Sequence, residues 1–366
     1  MDEPIRVLQV VTYMGRGGLE TMLMNYYRHI DRSKVQFDFL VHRDFEADYD
    51  QEILSLGGRI FHVSRLIPWS HRYRQELRTF FRQHPEYRIV HVHQDCLSSV
   101  ALQCAKECSV PVRIAHSHNI QQDKNIKYLI KLHYMKYIPQ YATELFACGE
   151  NAGHWMFGNT PFAVLKNAID SQQYLPDPQV RARIRHNLCL DHCLVIGHIG
   201  RFSPQKNHTF LLNIFREIVK NHPIVKLLLI GDGDGLENVK DKARAMGITD
   251  YVIFTGVRSD VPQLMQAMDI FVFPSLYEGL PVTMIEAQAA GLPCVISDHV
   301  PEECIVTDGL VTIKKLTDTP IEWARHILSR ATLLRENHIS EIQAAGYDIE
   351  AAAKQLETFY LSKSEA

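Results

Sequence analysis

The sequence predicts an α/β protein made of two Rossmann-like domains in tandem. The chain has 366 residues, which exceeds the usual size of a domain with a single hydrophobic core. Short apolar runs alternate with helical stretches, which is typical of parallel sheets covered on both faces. The alternation falls into two series, which are separated by a polar stretch from Asp170 to Asp191 with Pro176 and Pro178 as breakers.

The first series opens with the unit that begins a Rossmann-like sheet. An apolar strand, Arg6–Thr12, runs into the glycine turn Gly15–Gly18 and then into a helix that extends through His29. The further predicted strands are Val35–Val41, Arg59–Val63, Ile89–His93, Val112–Ala115, Glu144–Cys148 and Phe162–Leu165. The clearest helices between them are Arg74–Gln83 and Leu97–Glu107.

The second series starts near Leu194. Its predicted strands are Leu194–Ile199, Val225–Ile230, Tyr251–Thr255, Ile270–Phe273 and Pro293–Ser297. A last helix, Ile349–Leu361, follows the Gly-Tyr-Asp turn at residues 346–348. We therefore predict a first domain over residues 1–170, a second over residues 171–346, and a C-terminal helix within residues 347–366.

Composition narrows the class of protein. Hydrophobic residues make up 46% and charged residues 22% of the chain, as in globular proteins. The net charge of -3 argues against a nucleic-acid binder that works by neutralising phosphates. The 8 cysteines are scattered without a Cys-x-x-Cys pair, which favours a cytoplasmic chain with reduced thiols. Neither a signal peptide at Met1–Pro4 nor an apolar run of about 20 residues is visible, so we expect any membrane contact to be peripheral.

A strand-turn-helix stretch in the second domain has the features of a ligand site. The strand Ile270–Phe273 leads through a turn to a helix whose first residue is predicted to be Pro281, where a missing N–H costs nothing. Free N–H groups and the dipole at a helix start suit a phosphate, while the carboxylates of Glu278 and Glu286 can accept bonds from hydroxyls. Together these groups suit a nucleotide sugar. The alternative is ordinary acidic residues that the helix dipole favours near a helix start.

A second loop adds two cations. Arg201 and Lys206 lie in the stretch from Gly200 to Asn207, directly after the first strand of the second domain. Open α/β sheets bind ligands at the carboxyl ends of their strands. A diphosphate leaving group gains negative charge as the sugar departs, and fixed cations there lower the barrier. The alternative is a pair of solvated surface residues.

These two motifs resemble those of retaining glycosyltransferases of family 4. The resemblance rests on the spacing from Glu278 to Glu286 and on the element Gly-Arg-x-x-x-x-Lys-Asn at residues 200–207. It implies the GT-B architecture, in which two Rossmann-like domains face an interdomain cleft and the C-terminal helix crosses back to the first domain. It further implies that Arg201 and Lys206 grip the pyrophosphate, Glu278 contacts the donor sugar and Glu286 contacts the ribose.

The resemblance also implies roles for residues outside the two motifs. Gly17 and Gly18 would let the backbone approach the donor phosphate, and Val257 or Arg258 would receive the nucleobase. His116 or His118, in the stretch Ala-His-Ser-His-Asn, would lie near the donor sugar or the acceptor, and we favour His118. The residues that would position the sugar through the helix start are Gly279, Leu280 and Pro281.

No metal or other cofactor is expected. The two cations and the helix start would replace a metal at the diphosphate, and the chain has no Asp-x-Asp cluster. The aspartates of the turn Gly231–Gly235, which resembles a mainly structural element of the family, lack the spacing of a calcium loop. A group of histidines and cysteines in the linker does not match the spacing of structural zinc sites: His186, Cys189, His192 and Cys193.

One helix could lie on a membrane. The stretch from Asp123 to Tyr141 carries Lys124, Lys127 and Lys131 at helical spacing, beside aliphatic and aromatic residues. A basic edge next to an apolar one suits anionic lipid, and it would indicate a lipid-linked acceptor. The alternative is an ordinary domain helix with a solvated lysine edge.

The sequence around the motifs is similar to that of bacterial glycosyltransferases of exopolysaccharide or capsule synthesis. We predict a retaining, metal-independent hexosyltransferase that moves a hexose or an N-acetylhexosamine from a UDP-sugar to a glycan or a lipid-linked acceptor. Two alternatives remain open. The chain could be a hydrolase or epimerase of sugar nucleotides on the same fold, or a non-catalytic GT-B-like partner of an active transferase.

Overall fold

The computed structural model describes residues 3–119 and 126–364. The chain divides into two compact units, Met1–Ala168 with Ile349–Ala366, and Ile169–Asp348. Each unit is built on one parallel sheet with helices between the strands, so the predicted α/β class is confirmed. Within the described residues, no helix is both long and apolar enough to cross a lipid bilayer.

The first unit contains a parallel sheet of seven strands in the order β3-β2-β1-β4-β5-β6-β7. The strands are β1 Ile5–Val10, β2 Val35–Val41, β3 Ile60–His62, β4 Ile89–Val92, β5 Val112–Ser117, β6 Glu144–Ala147 and β7 Ala163–Val164. The helices between them are α1 Gly18–His29, α2 Asp50–Ser55, α3 His71–Gln83, α4 Ser98–Glu107, α5 Ile126–Met135, α6 Ile138–Tyr141 and α7 Glu150–Phe157.

The second unit contains a parallel sheet of six strands in the order β10-β9-β8-β11-β12-β13. Its strands are β8 Leu194–Ile199, β9 Val225–Ile230, β10 Val252–Phe254, β11 Ile270–Phe273, β12 Cys294–Ser297 and β13 Val311–Lys314. Its helices are α8 Pro178–Asn187, α9 His208–Asn221, α10 Leu236–Ala245, α11 Val261–Ala267, α12 Val282–Ala289, α13 Pro320–Arg330 and α14 Ile339–Ala344. The last helix of the chain, α15 Ile349–Ser364, belongs to the first unit.

Strand order fixes which loops are neighbours in each sheet. Each sheet begins at an inner strand, extends to one side, and then returns to the other side of the strand where it began. In the first unit β1 therefore pairs with β4, and in the second unit β8 pairs with β11. Because all these strands are parallel, the loops that follow β1 and β4, and those that follow β8 and β11, meet at the carboxyl edges of their sheets. Doubly wound sheets bind ligands at such switch points.

Helix α15 packs into the core of the first unit. Its buried apolar side chains are Ile349, Ala352, Ala353, Leu356 and Tyr360. The spacing of these residues, three or four apart, places them on one face of the helix. That face joins the core formed by α1 and strands β1 and β2. The end of the chain therefore completes the domain with which the chain begins.

Most predicted elements are present, but some predicted bounds are wrong. Pro281 is the residue before α12, not its first residue, because the helix begins at Val282. Strand β13 was not predicted, since it is a half-exposed edge strand without a continuous apolar run. The helix predicted from residue 123 to 141 is described as two helices, α5 and α6, and residues 123–125 lie outside the described part of the chain.

One buried carboxylate joins several strands of the first unit. Asp38 of β2 is fully buried and accepts hydrogen bonds from Arg6 Nε at 2.5 Å and Arg6 Nη2 at 2.6 Å. It also accepts bonds from the Tyr87 hydroxyl at 2.8 Å and the Arg59 backbone N–H at 2.7 Å. A buried carboxylate with four donors is fully satisfied, and its removal leaves the donors without a partner.

We expect Asp38→Ala to lower the free energy of unfolding by about 3–5 kcal/mol, because the Arg6 guanidinium and the Tyr87 hydroxyl lose their shared acceptor. Urea unfolding followed by circular dichroism measures the change. The control is Asp241→Ala, which removes the exposed Asp241–Arg244 pair and should cost less than about 1 kcal/mol. Equal losses in the two variants would contradict the importance of the Asp38 cluster.

Candidate active site

The loops that follow β8 and β11 are joined by hydrogen bonds. The Leu276 backbone N–H donates to the Gln205 carbonyl at 2.8 Å, and the Asn207 side-chain amide donates to the Pro274 carbonyl at 3.2 Å. The Gln205 side-chain amide donates to the Tyr277 carbonyl at 2.9 Å. Both loops therefore form one continuous surface at the carboxyl edge of the second sheet.

Lys206 and Glu278 meet on this surface. Lys206 Nζ lies 2.7 Å from Glu278 Oε1, and the side chains are only 15% and 6% exposed. The Gln205 amide donates a second bond to Glu278 Oε2 at 3.2 Å, and Lys206 Nζ lies 4.6 Å from the centre of the Phe273 ring. A cation and an acid, 72 residues apart in sequence, are thus held side by side with little water around them.

Arg201 extends from the same loop into solvent. Its side chain is 64% exposed, and its Nη2 lies 3.8 Å from Asp234 Oδ2. The glycine turn that carries Asp234 packs directly under the loop: a Cβ on Gly231, whose φ is +136°, would lie 2.3 Å from the Gly200 carbonyl oxygen. Only glycine fits this approach. The second cation is therefore free to reach a ligand, while the turn beneath it supports the loop.

Glu286 lies on α12 and is buried. The Tyr174 hydroxyl donates to Glu286 Oε1 at 2.7 Å. Burial raises the pKa of this carboxyl from its ordinary value of 4.5 to about 7, although the bond from Tyr174 opposes the shift. Near neutral pH the carboxyl can accept or donate a hydrogen bond, as a sugar hydroxyl requires.

The remaining predicted residues of the second unit lie before α12 and after β10. Of the residues before α12, Gly279 is half-buried and Leu280 and Pro281 are buried. Val257 and Arg258 follow β10, whose neighbour is β9; Val257 is 46% exposed. The Arg258 guanidinium is bonded to both oxygens of Asp260, at 2.7 and 2.6 Å. Its reach towards a nucleobase would therefore require that ion pair to open.

In the first unit, Gly17 and Gly18 open α1. A Cβ on Gly17 would lie 2.3 Å from Glu20 Oε2, whereas a Cβ on Gly18 would meet nothing within 4 Å. His116 is fully buried, and His118 is half-buried at the end of β5. Burial lowers the pKa of His118 to about 3 and the pKa of His116 well below its usual value, so both imidazoles are neutral near pH 7.

The sequence analysis did not identify several polar residues that contact the predicted site residues in the two units. Gln205, which bridges the two loops, lies inside the Arg201–Lys206 motif and could have been found there. Tyr174 carried no sequence signal, because only the tertiary fold brings it to Glu286. His91 and His93, which contact His116 and His118, form a His-x-His pair at the end of a predicted strand. That pattern was visible in the sequence.

Comparison with known proteins identifies the family. The sequence profile described as Glycosyl transferases group 1 matches residues 193–331, which include the loops after β8 and β11. A protein of Bacillus subtilis (strain 168), named as the glycosyltransferase EpsF, is 37% identical over 98% of this chain and 97% of its own length. The chain belongs to the group 1 glycosyl transferases. This glycosyltransferase is also 26% identical, over 60% of each chain, to the Escherichia coli UDP-Gal:alpha-D-GlcNAc-diphosphoundecaprenol alpha-1,3-galactosyltransferase.

Solved structures confirm the predicted fold class for this glycosyltransferase. The crystal structure of Anabaena Alr3699/HepE in complex with UDP has a TM-score of 0.78 and 19% identity, and the match covers 98% of this chain and 100% of HepE. WaaG, a glycosyltransferase involved in lipopolysaccharide biosynthesis, has a TM-score of 0.70 and 15% identity over 96% of this chain and 99% of WaaG. Both are GT-B glycosyltransferases, so the fold is of that class.

We expect Glu286 to make stability fall as pH rises. The folded protein holds the Glu286 proton up to about pH 7, whereas the unfolded chain releases it near 4.5, so stability from this group is present below 4.5 and is lost as pH rises to 7. Relative to Glu286→Gln, the wild-type free energy of unfolding should fall by roughly 2.5 kcal/mol between pH 5 and 8, measured by urea titrations.

The matched control for this experiment is Glu237→Gln, which changes an exposed glutamate paired with Lys240. Its difference from wild type should stay nearly constant over the same pH range. A wild-type curve parallel to that of Glu286→Gln would show that the carboxyl is ionised in both states.

Proposed function

We propose that this glycosyltransferase is a retaining hexosyltransferase, which transfers a hexose or an N-acetylhexosamine from a nucleoside diphosphate sugar to a hydroxyl of a growing glycan. The observation that carries the proposal is the 2.7 Å contact between Lys206 and Glu278 at the switch point of the second sheet. A cation for the diphosphate and an acceptor for sugar hydroxyls are adjacent there, as a molecule with phosphate next to sugar requires.

In this proposal the residues of the second unit bind the donor. Arg201 and Lys206 hold the diphosphate and stabilise the charge that develops as the sugar leaves. Glu278 accepts bonds from the donor sugar, and Glu286 accepts bonds from the ribose. Each charge-assisted bond contributes roughly 1.5–3 kcal/mol. The residues proposed to complete the donor site through backbone groups and the nucleobase contact are Val257, Arg258, Gly279, Leu280 and Pro281.

Chemistry in this proposal proceeds on one face of the sugar. The bond from the anomeric carbon to the diphosphate oxygen breaks, the acceptor hydroxyl oxygen bonds to that carbon from the same face, and the hydroxyl proton passes to the departing phosphate. The low pKa of His118 supports a role in orienting hydroxyls and not in taking the proton, because such an imidazole is a weak base. Gly17, Gly18 and His116 are proposed to line the same path.

The relatives support a UDP-sugar as donor and a lipid-linked glycan as acceptor. HepE has been solved in complex with UDP-glucose, and the Escherichia coli relative is named for UDP-Gal and a diphosphoundecaprenol-linked acceptor. We propose the same classes for this chain, in exopolysaccharide or capsule synthesis on the cytoplasmic side of the membrane. We also propose that no metal acts at the diphosphate, because Arg201 and Lys206 supply positive charge there.

Lys206→Ala and Glu286→Ala should each lower turnover about 10²–10³-fold, because each removes a group that stabilises the leaving diphosphate or holds the nucleotide. Turnover is measured as glycosylated acceptor and released UDP, with UDP-glucose, UDP-galactose and UDP-N-acetylglucosamine as donors. The control is Lys220→Ala, an exposed lysine paired with Glu217. Lys206→Ala leaves the buried Glu278 without its cation, which could destabilise the fold. Circular dichroism therefore checks that each variant is folded.

Wild-type turnover in both folded variants would overturn the assignment of the donor site. Product analysis separates the alternative enzymes. Release of free sugar, or conversion of the donor to an epimer, without any acceptor would indicate a hydrolase or an epimerase. Donor binding without any product, in the presence of glycan and lipid-linked acceptors, would favour a non-catalytic partner subunit.

We also propose that α5 contacts anionic lipid at the membrane surface. Leu129 on this helix is 67% exposed, and Lys136 just beyond it is exposed as well. Lys124 and the side chain of Lys127, which belong to the predicted lysine edge, lie outside the described part of the chain. An exposed leucine with a lysine on the same helical stretch can insert among acyl chains while the cation meets lipid phosphates.

Sedimentation with phosphatidylglycerol vesicles tests this contact. Leu129→Asp should weaken binding about tenfold, because it removes the aliphatic group proposed to insert among the acyl chains and adds a negative charge. Leu54→Asp, at a similarly exposed leucine on α2, is the control and should bind like wild type. Binding that is absent, or that is unchanged in Leu129→Asp and by salt, would contradict the proposal.

A further inference from the structure

Four histidine rings form a cluster at the carboxyl edge of the first sheet. His91 lies in β4 and His93 just after it, while His116 lies in β5 and His118 just after it. Alternate residues of a strand lie on the same face of the sheet, and β4 pairs with β5 in parallel register. The two His-x-His pairs therefore lie side by side on one face. One ring nitrogen from each of His91, His93 and His116 lies within 4.8 Å of the others.

The distance between two of these rings matches that of ligands on one ion. His91 Nε2 lies 3.2 Å from His116 Nδ1. Two imidazole nitrogens bound to a tetrahedral Zn²⁺, each about 2.05 Å from the ion, are about 3.3 Å apart. The outer nitrogen of His91, Nδ1, lies 2.7 Å from the Tyr360 hydroxyl. That hydroxyl can donate or accept, so it holds the ring in either tautomer.

The third ring is oriented by a side-chain amide. The Nε2–H group of His93 donates to the Gln9 side-chain carbonyl oxygen at 2.9 Å, which can only accept. Because a neutral imidazole carries one proton, the Nδ1 of His93 has a free lone pair, which receives a hydrogen bond from His118 Nε2 at 2.9 Å. Histidines that ligate metals commonly donate their outer N–H to a carbonyl in this way.

Protein atoms alone do not satisfy the cluster. Among the described residues, the Nε2 of His116 is buried and has no hydrogen-bond partner. With the ion on Nδ1, the ring proton of His116 stays on this Nε2, so the unpartnered atom is not itself a ligand.

We propose that His91, His93 and His116 bind one divalent transition-metal ion, with Zn²⁺ as the preferred ion. Three neutral imidazoles suit Zn²⁺, and they disfavour Mg²⁺ and Ca²⁺, which require oxygen ligands. The ion takes the place of the proton on His91 Nε2, that proton moves to His91 Nδ1, and the resulting N–H group donates a hydrogen bond to the Tyr360 hydroxyl oxygen. His118 or solvent takes the fourth position.

The proposed ion has a structural role. Its ligands come from two neighbouring strands, and Tyr360, the group that orients His91, comes from α15. An ion held there ties β4, β5 and α15 together. Because His116 is also proposed to line the path of the transfer reaction, the test below measures metal content and melting temperature and does not measure transfer activity.

Metal titration tests the site directly. Two metal-free samples are prepared with a chelator: the purified protein, and the same protein after refolding from urea. Each is titrated with Co²⁺ and then with Zn²⁺ as competitor. We expect one ion per chain, visible ligand-field bands of a four-coordinate Co²⁺, and a melting temperature that rises with Zn²⁺ concentration. His116→Gln should abolish binding, and Tyr360→Phe should weaken it about 10–100-fold.

The matched control is His198→Gln, which changes a buried histidine of the second unit whose Nδ1 is bonded to the Val272 carbonyl. It should bind metal as wild type does. If the wild-type chain binds less than one ion under both conditions, or if His116→Gln and His198→Gln bind equally, the proposal is overturned. Tyr360→Phe keeps the test decisive if His116→Gln does not fold, since it leaves all three ligands in place.

Discussion

The parallel pairing of β8 with β11 is the constraint from which the proposed donor site follows. The register aligns Ile270 with Ile196 and Phe271 with Gly197, so both strands end at the same edge. Their loops must then share that edge, although Lys206 and Glu278 are 72 residues apart in sequence. Lys206 meets Glu278 because of this pairing, not because of any local preference. The first sheet repeats the arrangement with β1 and β4, and its polar cluster also lies at the end of the strands.

Polar groups are buried at the carboxyl edges of both sheets. The apolar packing of each core must offset the free-energy cost of burying them. Lys206 and Glu278 are removed from water as a pair, while Glu286 is buried with only the Tyr174 hydroxyl and has a raised pKa. Buried ionisable groups contribute less to stability than apolar side chains of similar size would. In the proposed site, such buried donors and acceptors are already oriented before a ligand arrives.

Much of this architecture follows from sequence pattern, and the exceptions have physical causes. Apolar runs such as Ile270–Phe273 mark buried strands, and the cation and acid motifs mark their ends. Strand β13 escapes prediction because an edge strand needs few apolar residues. Tyr174 cannot be assigned to Glu286 from sequence, because their contact depends on the packing of segments 112 residues apart. The histidine cluster depends likewise on the register of β4 against β5.

Helix α15 has a consequence for the order in which the protein is made. A ribosome releases the amino end first, yet the core of the first unit lacks Leu356 and Tyr360 until the second unit has been synthesised. The second unit, continuous in the chain from Ile169 to Asp348, can complete its own core earlier. The newly synthesised polypeptide therefore carries an unfinished first sheet past the tunnel exit, and the core of that unit is completed only when the sixteen-residue helix α15 emerges.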